Sequence, residues 1–346
     1  LFAGEAGHAA GEGNDLRQPN PAAACLRLPP GFPYRWLHMA FSRRSFVSSG
    51  AAALAGAPGA AQETAGNASG TLRVAACQIL TFPEPRRSAE KICSWLEKAA
   101  RDKIDVVAFP EAAVCGYSCD PAYWKAANPA EFQAAEETVL AAARQLHVAV
   151  ILGTAHWEEG QVFNSVLVAD KGGVVRGRYA KTFRAEDWPA AGRKLAVWTV
   201  AGVKSCFIIC HDVRYPELVR LPAAAGAQIC YFVSNESGLL EEHKLSAYRA
   251  MPIARATENS IYLVMANAPA DPDNLRSPSQ SHGNSKIIHP DGNVLVETGF
   301  FKETLVAATI DLAAASRAVA RRAVREGVPV SKWLAEGLRL VEGEKS

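Results

Sequence analysis

Three residues of different chemistry each stand where a strand-like run ends: Glu111, Lys181 and Cys210. Cys210 closes Cys206-Phe207-Ile208-Ile209 and precedes His211-Asp212-Val213-Arg214-Tyr215-Pro216-Glu217-Leu218. A cysteine where a strand stops and a loop turns into a helix is placed for exposure. The backbone N–H groups beyond it can stabilise a thiolate and a developing oxyanion. The same position also suits a core cysteine before an ordinary polar turn. Glu111 follows the run 106–109 and Pro110. A carboxylate at the end of an apolar strand is partly desolvated, which raises its pKa and makes it usable as a general base. A helix N-terminal acid fits that position equally well. Lys181 closes the run 174–180, where a lysine either stabilises negative charge or simply faces solvent.

These positions depend on a regular alternation of elements. Strand-like runs are expected at 72–78, 106–109, 148–152, 163–169, 174–180, 203–210, 229–233, 261–266, 286–289, 294–297 and 305–310. Between them, apolar residues at spacings of three and four predict a helix over 88–101. Asn128-Pro129 caps a helix to 146, Pro216 opens one to 225, and 239–259 reads as a long helix. Asp291-Gly292 marks a hairpin. Beyond Asp311 the chain reads as helix and tail. Strands mixed with helices, some joined by hairpins, predict an α/β fold of sheets covered by helices.

Composition narrows the class further. The chain has 346 residues, 49% apolar and 21% charged, a balance of soluble globular proteins that excludes collagen-like, disordered and small disulfide-stapled classes. With 37 basic against 35 acidic residues, nothing marks a nucleic-acid partner. No run of apolar residues is long enough for stable membrane insertion. The eight cysteines lack the spacing of a zinc site, and six or seven of them read as small core residues.

The opening segment, 1–38, is rich in Gly, Ala, Pro and Asn and reads as unstructured, or as sequence upstream of a translation start at Met39. Ser42-Arg43-Arg44-Ser45-Phe46-Val47 leads into an Ala-rich apolar run and the small residues Gly59-Ala60-Ala61. Charged region, apolar region and cleavage site in that order read as a twin-arginine export signal over 39–61. A linker comes next over 62–70, then a catalytic domain over 71–311 and a helical tail over 312–346. The expected destination is periplasmic or extracellular.

Taken together, Glu111, Lys181 and Cys210 with their flanks resemble the nitrilase superfamily, the carbon–nitrogen hydrolases with a Glu-Lys-Cys triad. The resemblance rests on Val74-Ala75-Ala76-Cys77-Gln78, Pro110-Glu111 with Gly116-Tyr117, Tyr179-Ala180-Lys181 and the block from Cys210 to Leu218. Arg255-Ala256-Thr257-Glu258-Asn259 and Gly283-Asn284-Ser285 with Pro290-Asp291-Gly292 extend it. It implies a four-layer α-β-β-α sandwich that pairs into homodimers or larger homo-oligomers. It implies Cys210 as nucleophile, Glu111 as proton carrier, and Lys181 with the His211 N–H as oxyanion stabilisers. Neither metal nor organic cofactor is implied. A second acidic residue after the lysine is implied as well, with Glu186 favoured over Asp187. Arg214 with Glu217 is expected as an ion pair, and Arg255, Glu258 and Asn259 as structural.

His211 after the cysteine looks closer to amidases and carbamoyl-amide hydrolases than to nitrile-cleaving members. A small amide is therefore the first expectation, an N-carbamoyl compound the second and a nitrile the third. Tyr117, Trp188, Asn235, Glu236 and the loop 269–281 are expected to wall the pocket. A base at His211 or His243, an ester-cleaving cysteine and an inactive binding scaffold stay open.

Overall fold

The computed structural model describes residues 70–236, 242–274, 281–327 and 330–343. The expected export signal, the stretch before it and residues 62–69 of the expected linker lie outside these. Two sheets form the centre. The first contains β1 (Thr71–Gln78), β2 (Val106–Ala108), β3 (Ala149–Glu158), β4 (Gln161–Ala169), β5 (Val175–Ala180) and β12 (Thr304–Asp311), in the order β12-β1-β2-β3-β4-β5. The second contains β6 (Leu195–Val200), β7 (Val203–Ile209), β8 (Ile229–Ser234), β9 (Tyr262–Asn267), β10 (Lys286–Ile288), β11 (Val294–Glu297) and β13 (Val341–Gly343), in the order β11-β10-β9-β8-β7-β6-β13. At each centre three strands run parallel: β1, β2 and β3 in one sheet, β7, β8 and β9 in the other.

Strand periodicity builds the layers. Successive side chains point to opposite faces, so Val74 and Ala76 of β1 enter one core while Ala75 and Cys77 enter another. The inner core lies between the sheets and includes Ile151, Val166, Phe207, Ile209, Tyr231 and Val264. Outside the first sheet pack α1 (Pro85–Arg101) and α3 (Pro129–Leu146), through Ile92, Leu96, Val139 and Ala143. Outside the second pack α4 (Glu217–Ala224) and α5 (Glu242–Thr257), through Leu218, Val219, Tyr248 and Ala256. The result is the four-layer α-β-β-α arrangement.

The differences from the sequence-based expectation have local causes. Strand β6 is an addition to the expected set. It joins β7 through Ala201 and Gly202, both at positive φ (48° and 82°), as in a hairpin turn of the mirror-image type. The pair carries no Asn-Gly or Asp-Gly signal, so the hairpin is silent in the sequence. Helix α1 starts at Pro85, ahead of the expected 88, because proline is suited to the first helical turn. The segment 312–346 holds α6 (Ala318–Glu326) and α7 (Val330–Gly337), but it ends in β13, which pairs in parallel with β6. Ala320 and Leu334 bury it against the outer core of the second sheet. Among the seven described cysteines, all free, five are buried. Cys93 is half-buried and Cys119 is exposed in the loop before α2 (Pro121–Ala126), where no strand alternation turns it inward.

Candidate active site

Glu111, Lys181, Cys210 and Glu236 all lie just past the ends of strands, two from each sheet. Carboxyl ends of parallel strands are where an open α/β sheet leaves a crevice for a ligand. Glu111 lies three residues beyond β2, on a loop that runs against β3. Gly153 of β3 makes that approach possible, since a Cβ there would sit 1.9 Å from the Pro110 carbonyl oxygen. Lys181 follows β5, its backbone N–H donating to the Asn164 carbonyl at 2.8 Å. Cys210 follows β7 and takes φ +46° as it opens a 3-10 turn over Cys210–Arg214. That left-handed backbone costs roughly 1–2 kcal/mol for a non-glycine residue.

Asp212 holds the turn in place. Its buried carboxylate accepts the Ile209 N–H at 3.1 Å, the Phe183 N–H at 2.8 Å and the Tyr179 hydroxyl at 2.9 Å. It thus ties the residue before Cys210 to the chain on both sides of Lys181. Burial lifts its pKa to about 6, against the pull of those donors and of Lys181.

The centre of the site is a buried ion cluster. The Lys181 ammonium donates to Glu111 Oε1 at 2.9 Å and to Glu186 Oε1 and Oε2 at 2.8 and 3.0 Å. Its three protons are thereby matched by three carboxylate oxygens. Burial by itself would lower the lysine, but Cys210, Glu111 and Glu186 outweigh it and hold its pKa well up. Burial also opposes the charge on Glu186, and Lys181 overcomes that and keeps the carboxyl low. Tyr117 donates to Glu186 Oε1 at 2.6 Å. Asp187 is exposed, so Glu186 is the acidic residue inside the site.

The two oxygens of Glu111 differ. Oε1 takes Lys181 and, at 2.7 Å, the Asn164 side-chain amide. Oε2 takes one donor, the Asn235 backbone N–H at 2.8 Å, and keeps a lone pair. Cys210 is buried, and burial pushes its thiol pKa well up, with Glu111 and Glu236 adding to the rise and Lys181 opposing it. The Cys210 side chain is therefore held as a thiol. His211 is half-buried beside the Tyr215 ring, and burial, Arg214 and Lys181 lower its pKa. His243 falls on α5, and its side chain lies outside the described residues.

Arg214 and Glu217 stand apart from their expected pairing, while other neighbours brace the site. Arg214 does not meet Glu217; both are exposed, and the guanidinium donates to the Tyr248 hydroxyl at 3.2 Å. Trp188 stacks on Trp124 with centroids 3.7 Å apart, fastening the loop of Glu186 to α2. Arg255 donates to the Val213 carbonyl at 2.8 Å and pairs with Glu258, bracing the turn after Cys210. Asn164, Asp212, Tyr179 and Tyr248 are site neighbours that sequence reasoning misses. Asn164 does leave a trace, an amide inside the apolar run Val162-Phe163-Asn164-Ser165-Val166. No group of three or more metal-binding side chains occurs among the described residues.

Comparison with known proteins agrees with this architecture. Residues 73–319 match the carbon-nitrogen hydrolase family. The chain is 30% identical over 258 residues to the 2-oxoglutaramate amidase of Bacillus subtilis, covering 72% of this chain and 92% of that protein. It is 32% identical over 203 residues to an (R)-stereoselective amidase of a Pseudomonas species, covering 56% and 69%. Among solved structures, an amidase from a Nesterenkonia species superposes with TM-score 0.65 at 22% identity, covering 76% of this chain and 96% of that one. The chain belongs to the carbon–nitrogen hydrolase family. It is accordingly a hydrolase acting on carbon–nitrogen bonds other than peptide bonds.

Proposed function

We propose that the protein hydrolyses a small amide through a Cys210 thioester, releasing ammonia and a carboxylate. The observation that carries this reading is the divided bonding of Glu111. Oε1 is saturated by Lys181 and Asn164, and Oε2 keeps a lone pair beside a thiol that needs a base. Oε2 takes the Cys210 proton as Sγ attacks the amide carbonyl. The same proton then goes to the departing nitrogen as the tetrahedral adduct collapses to the thioester. Glu111 next takes a proton from the attacking water, and the thiol leaves with it. With the lysine protons committed to carboxylates, Lys181 acts mainly through its charge and by fixing Glu111. The His211 backbone N–H is the donor assigned to the oxyanion.

Names of relatives support an amide over the other two substrate classes, since the two relatives described above are both amidases. Export as a folded enzyme by the twin-arginine route is part of the same reading, supported by Arg43-Arg44 and the apolar run after them. Homo-oligomer formation is supported by the family resemblance.

The test is ammonia release from a panel of small amides, carbamoyl compounds and nitriles, with intact mass measured in parallel. Turnover of an amide with an acyl adduct on the wild type is expected. Cys210→Ala loses both, a rate drop on the order of a millionfold for removal of a nucleophile. Turnover that persists in a folded Cys210→Ala protein would overturn the mechanism.

A further inference from the structure

Glu236 lies two residues past β8, and its surroundings differ from those of the other site carboxylates. Its backbone N–H is anchored on Asn267 Oδ1 at 3.0 Å, and Asn267 is held in turn by Ser281 and Gly283. Its side chain is buried, with the residue 1% exposed. Neither carboxyl oxygen has a hydrogen-bond partner. The Tyr248 and Ser234 hydroxyls lie beside it without closing a bond to either oxygen. Glu236 follows the strand paired beside β7, whose end carries Cys210, and it lies within electrostatic reach of that thiol.

Among the described residues, no cation bonds the Glu236 carboxyl. Lys181 is committed to Glu111 and Glu186. Arg214 is exposed and within electrostatic reach of Glu236, but it donates to the Tyr248 hydroxyl and not to the carboxyl. His282, whose ring lies 5.8 Å from that of Tyr248, is kept neutral, burial and nearby Lys286 and Arg249 holding its pKa at about 4. A buried carboxyl with no donor carries a standing desolvation cost, which a ligand donor relieves. Three buried carboxyls, Glu111, Glu186 and Glu236, act on one lysine. A substrate carboxylate would add repulsion there, and a substrate cation would remove it. The leaving group of the proposed reaction is ammonia, so a cation can only be carried by the acyl part.

We propose that Glu236 is a specificity-determining residue that receives a protonated amine on the acyl part of the substrate. The substrate class is then an amino-substituted small amide. This rests on the amidase reading for the reaction, and the binding site it names stands on the carboxyl itself.

The experiment compares ω-amino amides, from glycinamide to 6-aminohexanamide, with alkyl amides of equal length and with succinamate. At the best-fitting length, kcat/KM for the ammonium amide should exceed that of its alkyl isostere by about tenfold or more, the weight of a charge-assisted hydrogen bond. In Glu236→Gln that ratio should fall to near unity. Equal or better turnover of the alkyl amide at every length, preference for succinamate, or an unchanged ratio in the variant would overturn the proposal. The wild-type comparison stands even if the variant fails to fold. Calorimetric binding of the same pairs to Cys210→Ala separates the two readings. A binding preference for the ammonium amide without turnover by the wild type sinks the amidase reading and keeps the Glu236 site. Turnover without that preference sinks the Glu236 site and keeps the amidase reading.

Discussion

The two walls of the site differ in how their polar groups are satisfied. On the first sheet's side, the charged groups of Glu111, Lys181 and Glu186 are all bonded, with Asn164 and Tyr117, at 2.6 to 3.0 Å, and Asn164 Oδ1 is the one side-chain oxygen of this network left without a partner. On the second sheet's side, Cys210 sits in a left-handed backbone, and Ser234 and Glu236 present buried oxygens with no partner. The backbone of Asn235 reaches from the second wall to the first, a link beside those that Asp212 makes to Phe183 and Tyr179. A network satisfied by the chain itself is rigid before substrate arrives, as proton transfer requires. Groups left unsatisfied are matched by something outside the chain. The first wall is therefore built for chemistry and the second for attack and recognition.

That division can be broken from either side. Glu111→Gln preserves shape but removes the proton carrier, and kcat should fall by about a thousandfold on every substrate alike. A change that depended on the substrate's charge would instead assign recognition to the first wall. Gly153→Ala comes next in size. Its Cβ collides with the Pro110 carbonyl and moves Glu111, so a loss in kcat of about a hundredfold is expected, the penalty for misplacing a catalytic group by an ångström. Unaltered turnover in that variant would show that the loop carrying Glu111 tolerates displacement and that the first wall is not rigid.

The smallest effect concerns stability. Burial, reinforced by Glu111 and opposed by Tyr248, Lys181 and Ser234, raises the Glu236 carboxyl from its ordinary 4.5 to about 8. Cys210 and Arg214 also feel its charge. Between these two pKa values the folded protein binds more protons at Glu236 than the unfolded chain does, so its contribution to stability declines as pH rises. Glu236→Gln removes the decline. The melting temperature of the variant relative to wild type should therefore be higher at pH 8.5 than at pH 5, read by calorimetry at both. A difference independent of pH would mean that Glu236 is paired after all, and the contrast between the walls would fail.

Much of this site is legible in the sequence because its residues sit at strand ends with distinctive flanks. The runs before Glu111 and Cys210 are short and apolar, and the run before Lys181 is a short strand-like segment that carries Arg176 and Arg178. The first polar position beyond each run is then the natural place for a functional side chain. Glu186 is harder, because Asp187 beside it has the same chemistry, and only the bond to Lys181 separates them. Asn164 and Asp212 escape notice because each looks like an ordinary polar residue until its partner, far along the chain, is brought to it. Glu236 reads as pocket wall, and the sequence holds no sign that its carboxyl oxygens lack a hydrogen-bond partner.

The sequence alone determined the order of most elements, the α/β class and the identity of the family, and it singled out Glu111, Lys181 and Cys210 at strand ends. These depend on period, capping and local motif, all short-range properties of the chain. Only the tertiary structure decided which carboxylate oxygens are saturated, that β6 and β13 complete the second sheet, and that Lys181 spends its protons on two glutamates. It also decided that Glu236 is buried without a partner. Hydrogen-bond satisfaction and desolvation depend on every group within a few ångströms in space. Those groups come from distant strands, 124 residues apart for the bond between Asn235 and Glu111.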